Sequence, residues 1–89
     1  MLTVTEQAAR MIRELIDHSD LSEGAGLRIA QRDDHPALAM TLVEEPNDLD
    51  VIVAEHDVAV FLGPVAAVRT EGQVLDATSD SHSAFYLRG

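Results

Sequence analysis

The sequence has 89 residues, with 16 acidic and six basic side chains, no cysteine and a formal charge of −10 at pH 7. This length fits one domain over residues 1–89, with room for one modest core. The absence of cysteine excludes disulfides, catalytic thiols and every metal or cluster site that depends on thiolates. Aromatic residues are only 3%, so we expect the core to be aliphatic.

The charge pattern disfavours nucleic acids and membranes as partners. Nucleic-acid binding needs clustered basic residues that displace counterions. Here the basic residues are all arginine and lie scattered along the chain: Arg10, Arg13, Arg28, Arg32, Arg69 and Arg88. An acidic surface also repels anionic membranes, and no apolar stretch approaches the roughly 18 residues of a membrane span. No basic segment followed by an apolar run begins the sequence, so we expect no signal peptide and a cytoplasmic protein.

The N-terminal segment has the pattern of an amphipathic helix. Its apolar residues recur at spacings of three and four: Ala8, Met11, Ile12, Leu15 and Ile16. Thr5 can cap this helix directly, whereas Thr3 with Glu6 spells a capping box, so two starting points are open. The helix is expected to end near His18, before a polar turn over residues 19–26.

Short strands dominate the rest of the chain. The predicted strands are residues 27–31, 37–43, 51–54, 58–62, 74–78 and 85–87. Glu55, His56 and Asp57 form a tight connection, so the third and fourth strands are expected to make a hairpin. Pro64 suits the first turn of a short helix that ends at Arg69. This order indicates an α+β fold with antiparallel or mixed strand pairing.

Several segments, taken in order, resemble the HesB/IscA-like A-type carriers of iron–sulfur cluster assembly. The opening LTVTEQAARMIRELI and the strand GAGLRIAQR match the start of that family. The block VEEPNDLDVIVAEHDVAVFLGPVAAVRTEGQVLDAT follows its central elements, and FYL sits at its late aromatic strand. The resemblance covers nearly the whole chain. It implies a compact twisted β-sandwich of short strands with a long N-terminal helix and a short second helix.

The chain departs from this family at its metal ligands. The family carries one cysteine after the first strand and a Cys-x-Cys pair in a C-terminal tail, and these thiolates accept iron or a cluster. Here the first region reads Asp33, Asp34 and His35, and the sequence reaches Gly89 without the Cys-x-Cys pair. Because iron–sulfide units prefer thiolates, no iron–sulfur cluster and no other cofactor is expected on this chain alone.

Asp33, Asp34, His35 and His82 form the candidate metal site. The first three place two carboxylates and an imidazole on one loop, and such groups can bind a divalent cation. Because adjacent side chains diverge, a further ligand is needed, and the resemblance implies that the segment with His82 approaches this loop. A homodimer is a second source of ligands, since family members often pair. The simpler interpretation is a solvated polar turn that binds no metal.

Other polar clusters indicate less chemistry. The serines around His82 are its neighbours in one loop, and neither a catalytic triad nor a nucleophile elbow is present, so no enzyme is expected. A run of carboxylates lacks the ligand spacing of a calcium loop and is interpreted as a solvated loop: Glu44, Glu45, Asp48 and Asp50.

Three functions follow from these observations. The leading hypothesis is a cysteine-free accessory domain that acts by binding a protein partner, whose identity the sequence does not give. The alternative is a protein that binds a divalent metal, iron or zinc, weakly through histidine and aspartate. An enzyme would need a pocket with converging polar groups that the sequence does not reveal.

Overall fold

Two helices and seven strands form the part of the chain that the computed structural model describes, residues 1–78 and 84–89. The helices are α1 (Glu6–His18) and α2 (Pro64–Arg69). The strands are β1 (Thr3–Val4), β2 (Gly26–Gln31), β3 (Leu38–Val43), β4 (Val51–Glu55), β5 (Val58–Leu62), β6 (Val74–Ala77) and β7 (Phe85–Arg88). Every predicted helix and strand is present. Neither described helix has the length and apolar character needed to cross a membrane.

The strands form two sheets with mixed pairing, as predicted. The larger sheet has the order β3-β2-β5-β4, in which β2 runs antiparallel to β3 and parallel to β5. The predicted β4–β5 hairpin closes this sheet. The smaller sheet has the order β1-β6-β7, with β1 parallel and β7 antiparallel to β6. The α+β class is therefore confirmed.

The β4–β5 hairpin turns over His56 and Asp57. Their φ angles are 52° and 66°, and Glu55 lies opposite Val58. A two-residue loop with positive φ at both positions matches the right-handed twist of the flanking strands. The predicted tight connection is thus confirmed, although the turn uses no glycine.

Both sheets and α1 contribute to one aliphatic core. On α1, Ala8, Ala9 and Ile12 are buried. The other buried members of this core are Leu2, Val4, Leu27, Ile29, Val53, Val58, Val60, Leu62, Ala66, Leu75 and Ala77. Burial of this apolar surface stabilises the fold, and it confirms the aliphatic core expected from the composition.

Thr5 is the N-cap of α1. Its hydroxyl oxygen accepts a hydrogen bond from the Ala8 N–H at 3.1 Å and donates one to Asp76 Oδ1 on β6 at 2.8 Å. The Asp76 carboxylate also accepts from the Ala77 N–H at 2.9 Å. The Ala77 and Thr5 hydrogen bonds lower the pKa of Asp76. One side chain thus joins the helix start to the small sheet, and Thr3 lies in β1 instead.

Thr5→Ala is expected to lower the free energy of unfolding by about 1 to 2 kcal/mol, because it removes the helix cap and one hydrogen bond to the Asp76 carboxylate. Urea denaturation measures the loss, and carbon NMR is expected to show the Asp76 pKa rising part of the way to its usual value. Thr3→Ala is the matched control, with an expected change within about 0.5 kcal/mol. An equal loss in both variants would show that Thr5 has no special capping role.

Candidate functional site

The loop of residues 32–37, between β2 and β3, carries three of the four candidate metal ligands. Its ends are joined by a hydrogen bond from the Arg32 N–H to the Ala37 carbonyl at 3.3 Å. Arg69 at the end of α2 donates to the Pro36 carbonyl at 2.5 Å. All residues of the loop are exposed. The loop is therefore held at its base and by α2, while its side chains face solvent.

His35 already has a partner for one ring nitrogen. Its Nδ1 accepts a hydrogen bond from the Ala37 N–H at 3.0 Å, which in a neutral ring puts the proton on Nε2. A metal at Nδ1 would displace this bond. A metal at Nε2 would require the proton on Nδ1, which could then no longer accept from Ala37. Metal binding by His35 therefore costs this hydrogen bond in either case.

The two aspartates of the loop differ in their surroundings. The Asp34 side chain is 81% exposed, and its Oδ1 lies 3.8 Å from Arg32 Nε, a distance typical of a weak surface pair. Asp33 borders a shallow depression of about 370 Å³ that Arg28, Asn47 and Pro64 also line. The two carboxylates thus have different neighbours.

No group of three or more His, Cys, Asp or Glu side chains that could hold a metal ion occurs within residues 1–78 and 84–89. His82, the predicted fourth ligand, lies outside the described residues. The proposed contact between His82 and the loop of residues 32–37 therefore stays a prediction.

Next to this loop, Arg28 on β2 forms a bidentate salt bridge with Asp50. Arg28 Nε lies 2.8 Å from Asp50 Oδ2, and Nη2 lies 2.9 Å from Oδ1. The Asp50 side chain is fully buried, whereas that of Arg28 is 22% exposed. The Asn47 N–H also donates to Asp50 Oδ2 at 3.0 Å. This pair fastens the connection between β3 and β4 onto the sheet.

The expectation that Asp50 belongs to a solvated acidic run is therefore wrong. The Arg28 hydrogen bonds lower the pKa of the Asp50 carboxyl, while burial acts in the opposite direction. Glu44, in the same run, accepts from the Ser22 hydroxyl at 2.7 Å, whereas Glu45 and Asp48 are exposed. The sequence carries no local signal of this pair, because strand alternation puts Arg28 on the face opposite Leu27 and Ile29, where a charge can face solvent.

A larger groove of about 600 Å³ lies between the C-terminal half of α1 and the β4–β5 hairpin. Arg13 crosses one end of it, donating to the His56 carbonyl at 2.6 Å. Asp17 and Glu23 also line the groove, and Glu55 accepts from the Val4 N–H at 2.5 Å.

The whole fold resembles three solved structures. Escherichia coli SufA, involved in biosynthesis of iron–sulfur clusters, superposes with a TM-score of 0.79 over 99% of this chain and 84% of its own, at 23% identity. The chain has the HesB/IscA-like fold. IscA with its [2Fe-2S] cluster gives a TM-score of 0.71 over 100% of this chain and 85% of its own, at 18% identity. A protein from Aquifex aeolicus, solved by solution NMR, gives 0.73 over 99% and 90%, also at 18% identity.

These likenesses confirm the fold expected from the sequence resemblance. No protein-family model matches the chain, and no curated protein sequence matches it. At identities of 18 to 23% the HesB/IscA-like likeness concerns the scaffold. The chemistry must therefore be argued from this chain's own side chains.

Proposed function

We propose that this protein is a non-catalytic accessory domain that binds a partner protein on a HesB/IscA-like scaffold and holds no iron–sulfur cluster through its own side chains. One observation carries the proposal. The fold extends over the full length of a chain that contains no cysteine. Thiolates are the usual ligands of iron–sulfur clusters, so the scaffold is present here without them.

The packing of the chain supports a function that needs no bound group. The core is aliphatic and unites both sheets with α1, so folding does not depend on a metal. The exposed surface instead includes large apolar side chains, among them Leu49, Ile52 and Val68 at 78%, 53% and 77% exposure. Each of these side chains offers apolar area that a partner protein could cover.

Anaerobic incubation with Fe(II) and sulfide tests the first half of the proposal. After desalting, we expect no iron or sulfide above the buffer level and no visible absorption of a cluster, because no thiolate is available. IscA, whose solved structure contains a [2Fe-2S] cluster, is treated in parallel as the positive control. A stable cluster on this chain would contradict the proposal.

Cross-linking in extract of the source organism tests the second half of the proposal, the binding of a partner protein. We expect a discrete complex with another protein.

The alternative is weak binding of a divalent metal, iron or zinc, through Asp33, Asp34, His35 and His82, with the rest of the coordination shell supplied by water or a second copy. The adjacent exposed carboxylates of the loop favour it. The His35–Ala37 hydrogen bond opposes it.

Calorimetric titration with Fe(II), Zn(II) and Ni(II) separates the two functions. Under the leading proposal, binding is no stronger than that of an acidic surface, and neither His35→Ala nor His82→Ala changes it. Stoichiometric binding that both variants abolish would establish the metal function instead. Asp20→Asn is the control for general attraction of cations, since it removes one exposed charge outside this loop.

A further inference from the structure

Strand β3 forms an open edge of the larger sheet. Among residues 1–78 and 84–89 it pairs with β2 alone, so the peptide groups on its other side are unpaired by any described strand. It is six residues long and contains no charged residue or proline. The other edge strands differ: β4 includes Glu55, β7 includes Arg88, and β1 has two residues. Proteins usually protect long uncharged edges of this kind.

The side chains of β3 leave part of the core uncovered at this edge. Leu38, Met40 and Leu42 alternate along the strand and pack against the core, yet each is only partly buried. A strand added beside β3 would continue the core face and cover them. Its own apolar residues would have to stand at alternate positions, because successive side chains in a strand point to opposite faces.

Charges at the ends of β3 indicate which added strand fits. At its C-terminal end stand two exposed carboxylates: Glu44, which also accepts from the Ser22 hydroxyl, and Glu45. At its N-terminal end the signs are balanced, because Asp33 and Asp34 are matched by Arg32 and by Arg69, which donates to the Pro36 carbonyl. A basic group is therefore favoured at one end only. A second copy of this chain brings another −10 charge, which opposes self-association.

We propose that β3 is a docking edge for an extended segment of the partner protein, in which basic residues precede a run with alternate apolar side chains. Antiparallel pairing is the more stable arrangement, and it puts the first residues of the segment beside Glu44 and Glu45. Main-chain hydrogen bonds supply affinity, and the alternate side chains and the basic end supply specificity. This inference rests on the proposed protein-binding function and assigns it a surface.

Synthetic peptides with one composition and two orders test the proposal. The probe is Arg-Lys-Val-Thr-Val-Thr-Val, and the matched control is Val-Thr-Val-Thr-Val-Lys-Arg. We expect the probe to bind about tenfold more tightly by fluorescence anisotropy. Methylation of alternate peptide nitrogens is expected to weaken it by about a hundredfold, since about three hydrogen bonds are lost and each contributes about 1 kcal/mol, or about fivefold. Chemical-shift changes are expected at residues 38–43.

Charge variants locate the basic end. Glu45→Gln is expected to reduce the preference for the probe about threefold, and Glu14→Gln on α1, which removes the same charge elsewhere, is expected to leave it unchanged. Equal binding of both peptides, or no effect of N-methylation, would overturn the docking edge while leaving the accessory function intact.

Sedimentation of the protein alone is expected to show a monomer. A dimer with shift changes at β3 would assign this edge to a second copy and also overturn the proposal.

Discussion

Gly26→Ala is expected to lower the free energy of unfolding by about 3 kcal/mol, more than an alanine at any other glycine of the chain. A Cβ at Gly26 would lie 2.5 Å from the Ala59 carbonyl oxygen and 2.9 Å from Phe61 Cε2. The first contact is with the backbone of β5, which pairs with β2 and cannot rotate away. Relief therefore requires the two central strands of the sheet to separate.

The melting temperature measures this effect. A loss of about 3 kcal/mol in a domain of this size corresponds to a fall of about 15 °C. Gly24→Ala is the matched control, because a Cβ there would meet only the Glu44 carbonyl, at 3.9 Å. If Gly26→Ala melts within about 2 °C of the wild type, β2 and β5 must be able to move apart at little cost.

Asp50→Ala is expected to lower the free energy of unfolding by about 2 to 3 kcal/mol. The variant removes two charge-assisted hydrogen bonds from Arg28 and leaves the Asn47 N–H without its acceptor. Asp34→Ala is the control, since its pair with Arg32 is exposed and loosely arranged, and it should cost no more than about 0.5 kcal/mol. Urea denaturation compares the two, and equal losses would contradict the assigned role of the Asp50 pair.

The same salt bridge predicts how stability depends on pH. The pKa of Asp50 is lower in the folded chain than in the unfolded chain, so its contribution is complete above about pH 4 and is lost as the pH falls through the folded pKa. Asp50→Asn cannot titrate and should flatten this part of the curve. Asp76 also has a lowered pKa, so a smaller slope should remain. An unchanged curve in Asp50→Asn would show that Asp50 does not contribute to acid sensitivity.

The local elements were predictable because their patterns are local. Apolar spacing indicated α1, alternation and turn residues indicated the main strands, and Pro64 marked the start of α2. Strand β1 was missed because two residues cannot show alternation. Two residues could have capped α1. The cap is Thr5, whose hydroxyl also donates to Asp76, a residue 71 positions away in sequence that no local pattern reveals.

The site was less predictable because its interactions are not local. Asp50 read as part of a solvated run, since its partner Arg28 lies 22 residues earlier and only the sheet brings the two together. The hydrogen bond at His35 Nδ1 also depends on the shape of the loop. The sequence shows that the loop of residues 32–37 carries side chains that can bind a metal. It does not show the hydrogen bonds that compete with a metal for them.

The pairing of β1 with β6 has a consequence for the order of folding. Thr3 and Val4 lie opposite Val74 and Leu75, and the amino group of Met1 contacts Glu71. This pairing joins residues 71 positions apart in sequence. Contacts of such long sequence separation slow folding, and β2–β5 can pair before them. Closure of β1 onto the small sheet is therefore expected to be a late step in folding.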